Sequence, residues 1–261
     1  MRIYTNPFEA MKETERDLWE MGISVHPQSM QDKVIKDDPA YLTKEVRGYS
    51  FKIVDWLWDM EHIKRALHYF FEEKTDDVLT YVLAEFRERV CGKANNPGTA
   101  YLHRKDLWEE FLHDGKFAYT YSERITPQLQ IILEELHTNP ESRQAIINIH
   151  SNICPEKYKN STSPRHPNWV ILQSKDLFNR GGGGRLPCSI YYQIMIREKK
   201  VDLIYCMRSC DFLIHFPVDV SLALLLQDWF ADSLSLATGT FTYFTGSLHA
   251  YAKDMVNRGI F

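Results

Sequence analysis

The sequence has little that would commit it to a membrane, a secretory route or a nucleic-acid surface. No apolar run comes near the roughly 20 residues that a membrane-spanning helix needs. The opening Met1-Arg2-Ile3-Tyr4-Thr5 lacks the apolar core of a secretory leader. Basic residues are not in excess: 31 Lys and Arg against 35 Asp and Glu leave a formal charge of −4, so a polyanion partner is not expected. Cysteine is sparse and irregular. Cys91, Cys154, Cys188, Cys206 and Cys210 form neither a disulfide framework nor paired zinc ligands. The expectation is a cytoplasmic chain, a phage's host included, where a free thiol stays reduced. The four glycines at 181–184 lack the Lys-Ser/Thr of a phosphate-binding P-loop.

What is present is an ordinary globular balance, 44% hydrophobic and 25% charged over 261 residues. Phe8, Met11, Leu18 and Met21 share one helical face and predict a helix over 7–22. Residues 23–44 are polar and irregular. Residues 46–54 alternate like a strand, with Gly48 placed for a bulge. Helical periods return over 63–90 and 126–136. Residues 152–186 hold Pro155, Pro164, Pro167 and the glycine run. They read as a long inserted loop, which in a compact domain is usually a lid or binding loop. Beyond it come strand patterns at 190–196 and 201–207 and an amphipathic helix pattern from Val220. Cys188 stands at the mouth of the first of these strands. A lone Cys there is either a buried core residue or a nucleophile.

Four motifs follow in order. Pro187-Cys188 opens a strand with Gln193 five residues after the Cys. Arg208-Ser209-Cys210-Asp211 comes next, and Pro217-Val218-Asp219 puts the Asp eleven residues after Arg208. Last is Gly246-Ser247-Leu248-His249-Ala250-Tyr251. This order and spacing resemble thymidylate synthase and its relatives, the pyrimidine-nucleotide hydroxymethylases, over about residues 78–255 and most strongly over 186–251. The resemblance implies an α+β fold, a mixed sheet packed at a homodimer interface with helices around it. It makes 1–261 one domain carrying the 152–186 insertion and a short C-terminus, since only ten residues follow Tyr251 where the family closes a longer tail over folate.

Further residues take roles by the same resemblance. The family's Glu lies seven residues before a Gly, as Glu85 precedes Gly92; read from the residues alone, Glu85 is an exposed helix Glu like Glu88. Trp108 and Tyr121 match a Trp-and-Tyr succession that walls the pocket, with core packing as the alternative. Pro140-Glu141-Ser142-Arg143 matches the segment whose Arg crosses the dimer to the neighbour's phosphate, although Gln144 stands where the family has a second Arg. An upstream phosphate-binding Arg is not placed; Lys36, Lys44 and Arg47 are the options.

The implied chemistry is covalent. A Cys188 thiolate adds to carbon 6 of a pyrimidine so that carbon 5 can attack an electrophile. Arg208 and Arg185 are the cations that would favour the thiolate and fork onto a phosphate, with Ser209 as a further donor. Gln193 and Asp211 would bind the nucleotide, His249 and Tyr251 its sugar hydroxyl, and Glu85 would manage water and protons. The one-carbon donor would be 5,10-methylenetetrahydrofolate. Three departures, Ser189 for His, Met207 for Gln and Asp219 for Asn, resemble the phage deoxycytidylate hydroxymethylases. A carboxylate can accept from the cytosine amino group and from a protonated ring nitrogen; alternatively Asp219 caps the following helix. The expected activity is 5-hydroxymethylation of a cytidine monophosphate nucleotide. A methylase on the cytosine or uracil nucleotide, and a catalytically idle nucleotide-binding relative, are the rivals.

Overall fold

The computed structural model describes residues 1–30, 33–150 and 186–257. Arg185, Cys154 and all of the expected insertion except Leu186 lie outside the described residues. In chain order the elements are β1 (Arg2–Tyr4), α1 (Pro7–Met21), β2 (Ile23–Val25), β3 (Ser29–Met30), β4 (Lys33–Val34), β5 (Thr43–Ile53), α2 (Met60–Phe71) and α3 (Thr75–Val90). There follow α4 (Lys105–Trp108), α5 (Tyr121–Thr138), β6 (Ile146–Asn148), β7 (Ser189–Arg197), β8 (Lys200–Met207), β9 (Cys210–Asp211), α6 (Phe216–Leu234), β10 (Ala237–Tyr251) and α7 (Ala252–Asn257). The class is α+β, as expected.

The main sheet runs β1-β5-β10-β8-β7-β6, with β2 on β5 and β9 on β10. It is mixed for a topological reason. β7 and β8 join through a tight turn at Glu198 and Lys199, both at positive φ, and are antiparallel. β8 and β10 are parallel, and α6 supplies the crossover that parallel strands require. Alternation sorts the strands. Tyr192 and Ile194, Val201, Leu203 and Tyr205, Phe241 and Tyr243, and Phe51 all turn to the helices and are buried. Tyr192 stacks on Tyr205 at 4.5 Å and Phe51 on Tyr243 at 5.1 Å, the offset ring contacts that add to plain burial.

Five expectations change. α6 is not amphipathic but buried nearly all round, because the sheet covers one side while Val218, Leu222 and Leu225 meet Ile63, Leu67, Val78 and Val82 of α2 and α3 on the other. The helical period of 63–90 is two helices, broken where Glu72 takes φ 49°. Gly48 is no bulge: Thr245 pairs Tyr49 and Ser247 pairs Arg47, so no residue is inserted, and Gly48 instead bends the strand at φ 64°. Residues 23–44 hold three short strands. α5 starts at Tyr121, five residues early, because Thr120 and Glu123 form a capping box that fixes the helix start.

Candidate active site

The C-terminal ends of β8 and β10, the start of α6 and the inner faces of α3 and α5 enclose a cavity of about 780 Å³. Ten of the twelve described residues given a site role from the sequence line it: Glu85, Trp108, Tyr121, Cys188, Arg208, Ser209, Asp211, Asp219, His249 and Tyr251. Arg143 and Gln193 do not. Gln193 alternates with the buried Tyr192 and Ile194, so it turns to the opposite face of the sheet, where its amide donates to the Arg143 carbonyl at 2.9 Å. Arg143 lies in a separate surface hollow beside Arg197.

Cys188 is half-buried, just before β7. Arg208 is held over it by the loop's own carbonyls, Nε donating to Pro187 O at 2.9 Å and Nη2 to Leu186 O at 3.2 Å. Nη2 stands 3.7 Å from Cys188 Sγ and Ser209 Oγ 3.9 Å from it, so a sulfur anion there faces two donors. The neighbouring thiols differ. Burial pushes Cys206 up, and burial with the charge of Asp219 pushes Cys210 well up, so both remain S–H. Gly246 makes the approach of β10 to Arg208 possible: a Cβ there would fall 2.8 Å from the Arg208 carbonyl.

On β10, burial pushes the His249 ring down to about 4, against the pull of Glu45. At neutral pH it therefore offers one N–H and one lone pair. Its Nδ1 lies 3.3 Å from Ser247 Oγ, which donates in turn to Glu45. Tyr251 sets its ring edge-on to His249 at 5.2 Å. Tyr121, whose hydroxyl burial keeps protonated, meets Ser189 Oγ at 3.2 Å, and Ser189 Oγ meets Tyr205 at 2.7 Å.

Asp219 lies in the first turn of α6, not at its cap. That position belongs to His215, which makes no side-chain cap bond. The capping alternative is thereby removed. The Cys210 S–H reaches Asp219 Oδ2 at 3.9 Å. Glu88 is also not the idle exposed Glu expected: its Oε1 accepts from Ala100 N at 2.9 Å and from Thr99, anchoring the segment that leads to Trp108.

Asp211 accepts from the backbone N–H of Leu213 and Ile214 at 3.2 and 3.3 Å. Burial, then the charge of Asp254, pushes its carboxyl from 3.8 to about 7. A carboxyl held protonated by the fold contributes stability that is full below about pH 4 and is lost as pH rises through about 7. Asp211→Asn keeps the acceptor and never ionises. Its urea midpoint is expected to vary less than that of the native protein between pH 4 and 7. Asp228, pushed to about 6 by burial and Asp232, contributes the same slope to both proteins. Parallel losses in the two would show that Asp211 is not the group responsible.

Three cavity-related residues escaped the sequence reading: Arg89, Arg104 and Glu45. Arg89 is buried, pairs with Glu85 through Nε at 3.0 Å and lies over the Tyr121 ring at 4.3 Å. Arg104 donates to Ile214 O at 3.4 Å, lies over Tyr81 at 5.4 Å, and feels the charges of Asp219 and Asp211. The spacing of Glu85 and Arg89 was the available signal, since residues four apart meet on a helix. Among the described residues no three His, Cys, Asp or Glu side chains converge on a metal site, and no helix is long and apolar enough to cross a membrane.

A mixed sheet that carries a thiol, a guanidinium and a carboxylate into one cavity places the chain in a known structural class. It is similar in fold to thermostable thymidylate synthase A from Bacillus subtilis, with a TM-score of 0.61 and 16% identity over 98% of this chain and 84% of the other. It is similar also to thymidylate synthase from T4 phage, at 0.56 and 16% over 95% and 78%. The thymidylate synthase family model matches residues 56–258, reaching further toward the N-terminus than the motifs, and the chain belongs to that family. It is thus a one-carbon transferase of nucleotide biosynthesis, and its family takes the carbon from 5,10-methylenetetrahydrofolate. The cavity fits such a pair of reactants. Its volume is within the range of small-molecule sites, and its lining combines the polar groups around Cys188 with the rings of Trp108, Phe111 and Tyr101, a mix that suits a charged nucleotide and a flat heterocycle.

Proposed function

We propose that this protein transfers the one-carbon unit to carbon 5 of a cytidine monophosphate nucleotide, dCMP or CMP, and leaves it as a hydroxymethyl group. The observation that carries this reading is Asp219: a carboxylate lining the cavity, on a buried helix, three residues beyond that helix's first residue and so not at its N-cap position. As an acceptor-only group it suits the cytosine amino group and a protonated ring nitrogen. In this reading Cys188 is the nucleophile at carbon 6. Arg208, Ser209 and Asp211 hold the nucleotide, and His249 and Tyr251 take the sugar hydroxyl. Methylenetetrahydrofolate supplies the carbon when bound, and Trp108 would lie against its ring. Once that carbon is a methylene on carbon 5, water adds its oxygen to it and gives its proton to Glu85. The electron pair passes into the ring and returns to expel Cys188 as thiolate from carbon 6.

The reading includes a homodimer. The sheet face away from the helices carries the exposed Ile146 and Phe244, 42% and 40% accessible, beside half-buried Tyr191, Met195, Ile204 and Cys206. Such an apolar face is what a second copy would cover. Arg143, remote from its own cavity, would then serve the neighbour's phosphate, and Gln193 would act by holding the Arg143 backbone. The test is to incubate the protein with dCMP, CMP or dUMP and methylenetetrahydrofolate, weigh the product, and measure the protein's mass in solution. A hydroxymethylated cytosine nucleotide and a dimer are expected. A methylated product, turnover of dUMP alone, or a monomer would each overturn the corresponding part.

A further inference from the structure

Arg89 is the most telling side chain that the function above does not use. Pairs four residues apart are ordinary on a solvated helix face, but this pair is inside. The Arg89 side chain is 5% exposed and that of Glu85 17%, and both line the cavity. A guanidinium is costly to bury unless its charge is answered. Around it stand Tyr81 of α3, Tyr121 of α5, Tyr192 of β7 and Tyr205 of β8, all of which burial keeps as neutral hydroxyls. Asp219 of α6 and Arg104 are the other charges acting on this cluster, through Tyr81. Glu85 is the anion in direct contact, through Oε1 at 3.0 Å.

We propose that Arg89 is a positioning residue that holds Glu85 as an oriented carboxylate, with Oε1 engaged and Oε2 left to take a proton from the substrate side. This rests on the role given to Glu85 above. An ionised carboxylate accepts and cannot donate, so the pair commits Glu85 to the proton-acceptor role that water addition requires. The other face of the guanidinium rests on Tyr121, whose hydroxyl meets Ser189, the residue after Cys188. One cation thereby fixes the distance between the proton acceptor and the nucleophile's strand.

The test begins on the resting protein, without turnover. Infrared difference spectra of the native protein against Glu85→Gln report the Glu85 carboxyl at a mildly acidic pH of about 6. The carboxylate band of Glu85 is expected to move in Arg89→Gln, where its charge-assisted hydrogen bond is gone, and partly back in Arg89→Lys. In turnover, kcat is expected to fall by about tenfold or more in Arg89→Gln and to recover in part in Arg89→Lys, with KM little changed. In the Glu85→Gln background, Arg89→Gln should cost nothing further. A protonated Glu85 in the native protein overturns the assignment even if Arg89→Gln does not fold. So does a lower rate with an unmoved carboxylate band and no recovery in Arg89→Lys, the mark of a merely structural residue. If the native protein proves to be a methylase, or inactive, the reading of its function fails, while the infrared comparison still decides for or against Arg89.

Discussion

Cys188→Ser is expected to lose turnover by about 10⁴-fold or more, the scale seen when a covalent nucleophile is removed, while nucleotide affinity stays within a few-fold. The affinity should hold because the surroundings of the thiol do not depend on it. Arg208 is fixed by the carbonyls of Pro187 and Leu186, and its Nη1 meets Ser209 Oγ at 3.0 Å. The turnover should go because a hydroxyl has none of the thiolate's reach or nucleophilicity, and among the described residues the groups at Cys188 Sγ are the donors Arg208 and Ser209, not a base that could activate it. Neither other nearby thiol can stand in: Cys210 is buried, and Cys206 lies on the outer face of β8. Alkylation of native Cys188 should slow when nucleotide is bound, which reports the same geometry without catalysis. Rates are to be taken from product formation and affinities from calorimetry. Turnover within tenfold of native would remove Cys188 as nucleophile. Turnover lost together with nucleotide binding would make it a structural residue.

The C-terminal half of the site was legible because its motifs are tied to backbone geometry. Pro187-Cys188 must open a strand, and Gly246 must be small where β10 crosses the Arg208 carbonyl. Such constraints leave marks at fixed spacing. The helical half was less legible, because there the decisive variable is which face of a helix turns inward. From the residues alone Glu85 is an exposed helix Glu and Arg89 gives no sign of its burial, until the fold closes over both, and Glu88, three residues on, serves a loop instead. Gln193 shows the limit of spacing alone. The irregularity between Ser189 and Tyr191 resets the alternation of β7, so Tyr192 and Ile194 take the inner face and Gln193 the outer. α6 misled for a similar reason: a helix covered on both sides has no polar face to give it a period.

Asp219→Asn is expected to invert the choice of base. In the proposed role the native carboxylate accepts twice, from the cytosine amino group and from the protonated ring nitrogen. Asn keeps one acceptor and replaces the other with an N–H₂, which would face the cytosine amino group donor against donor and would suit the uracil carbonyl. A buried polar group left mispaired costs about 1–3 kcal/mol. At roughly 1.4 kcal/mol per factor of ten, that is about tenfold to a hundredfold. Activity on the cytosine nucleotide should fall by that factor and activity on the uracil nucleotide should rise. The substitution is mild for the fold. Asp219 is not the cap of α6, and the neighbours that bury the helix, Val218 and Val220, are untouched. The loss of one negative charge near Arg104 is common to both substrates and cancels in their ratio. The measurement is therefore the ratio of kcat/KM for dCMP over dUMP in native and variant proteins. A ratio unchanged within twofold, with both rates equally depressed, would mean that Asp219 serves the cavity's shape or charge and does not read the base. The cytosine assignment would then have to rest on the product mass alone.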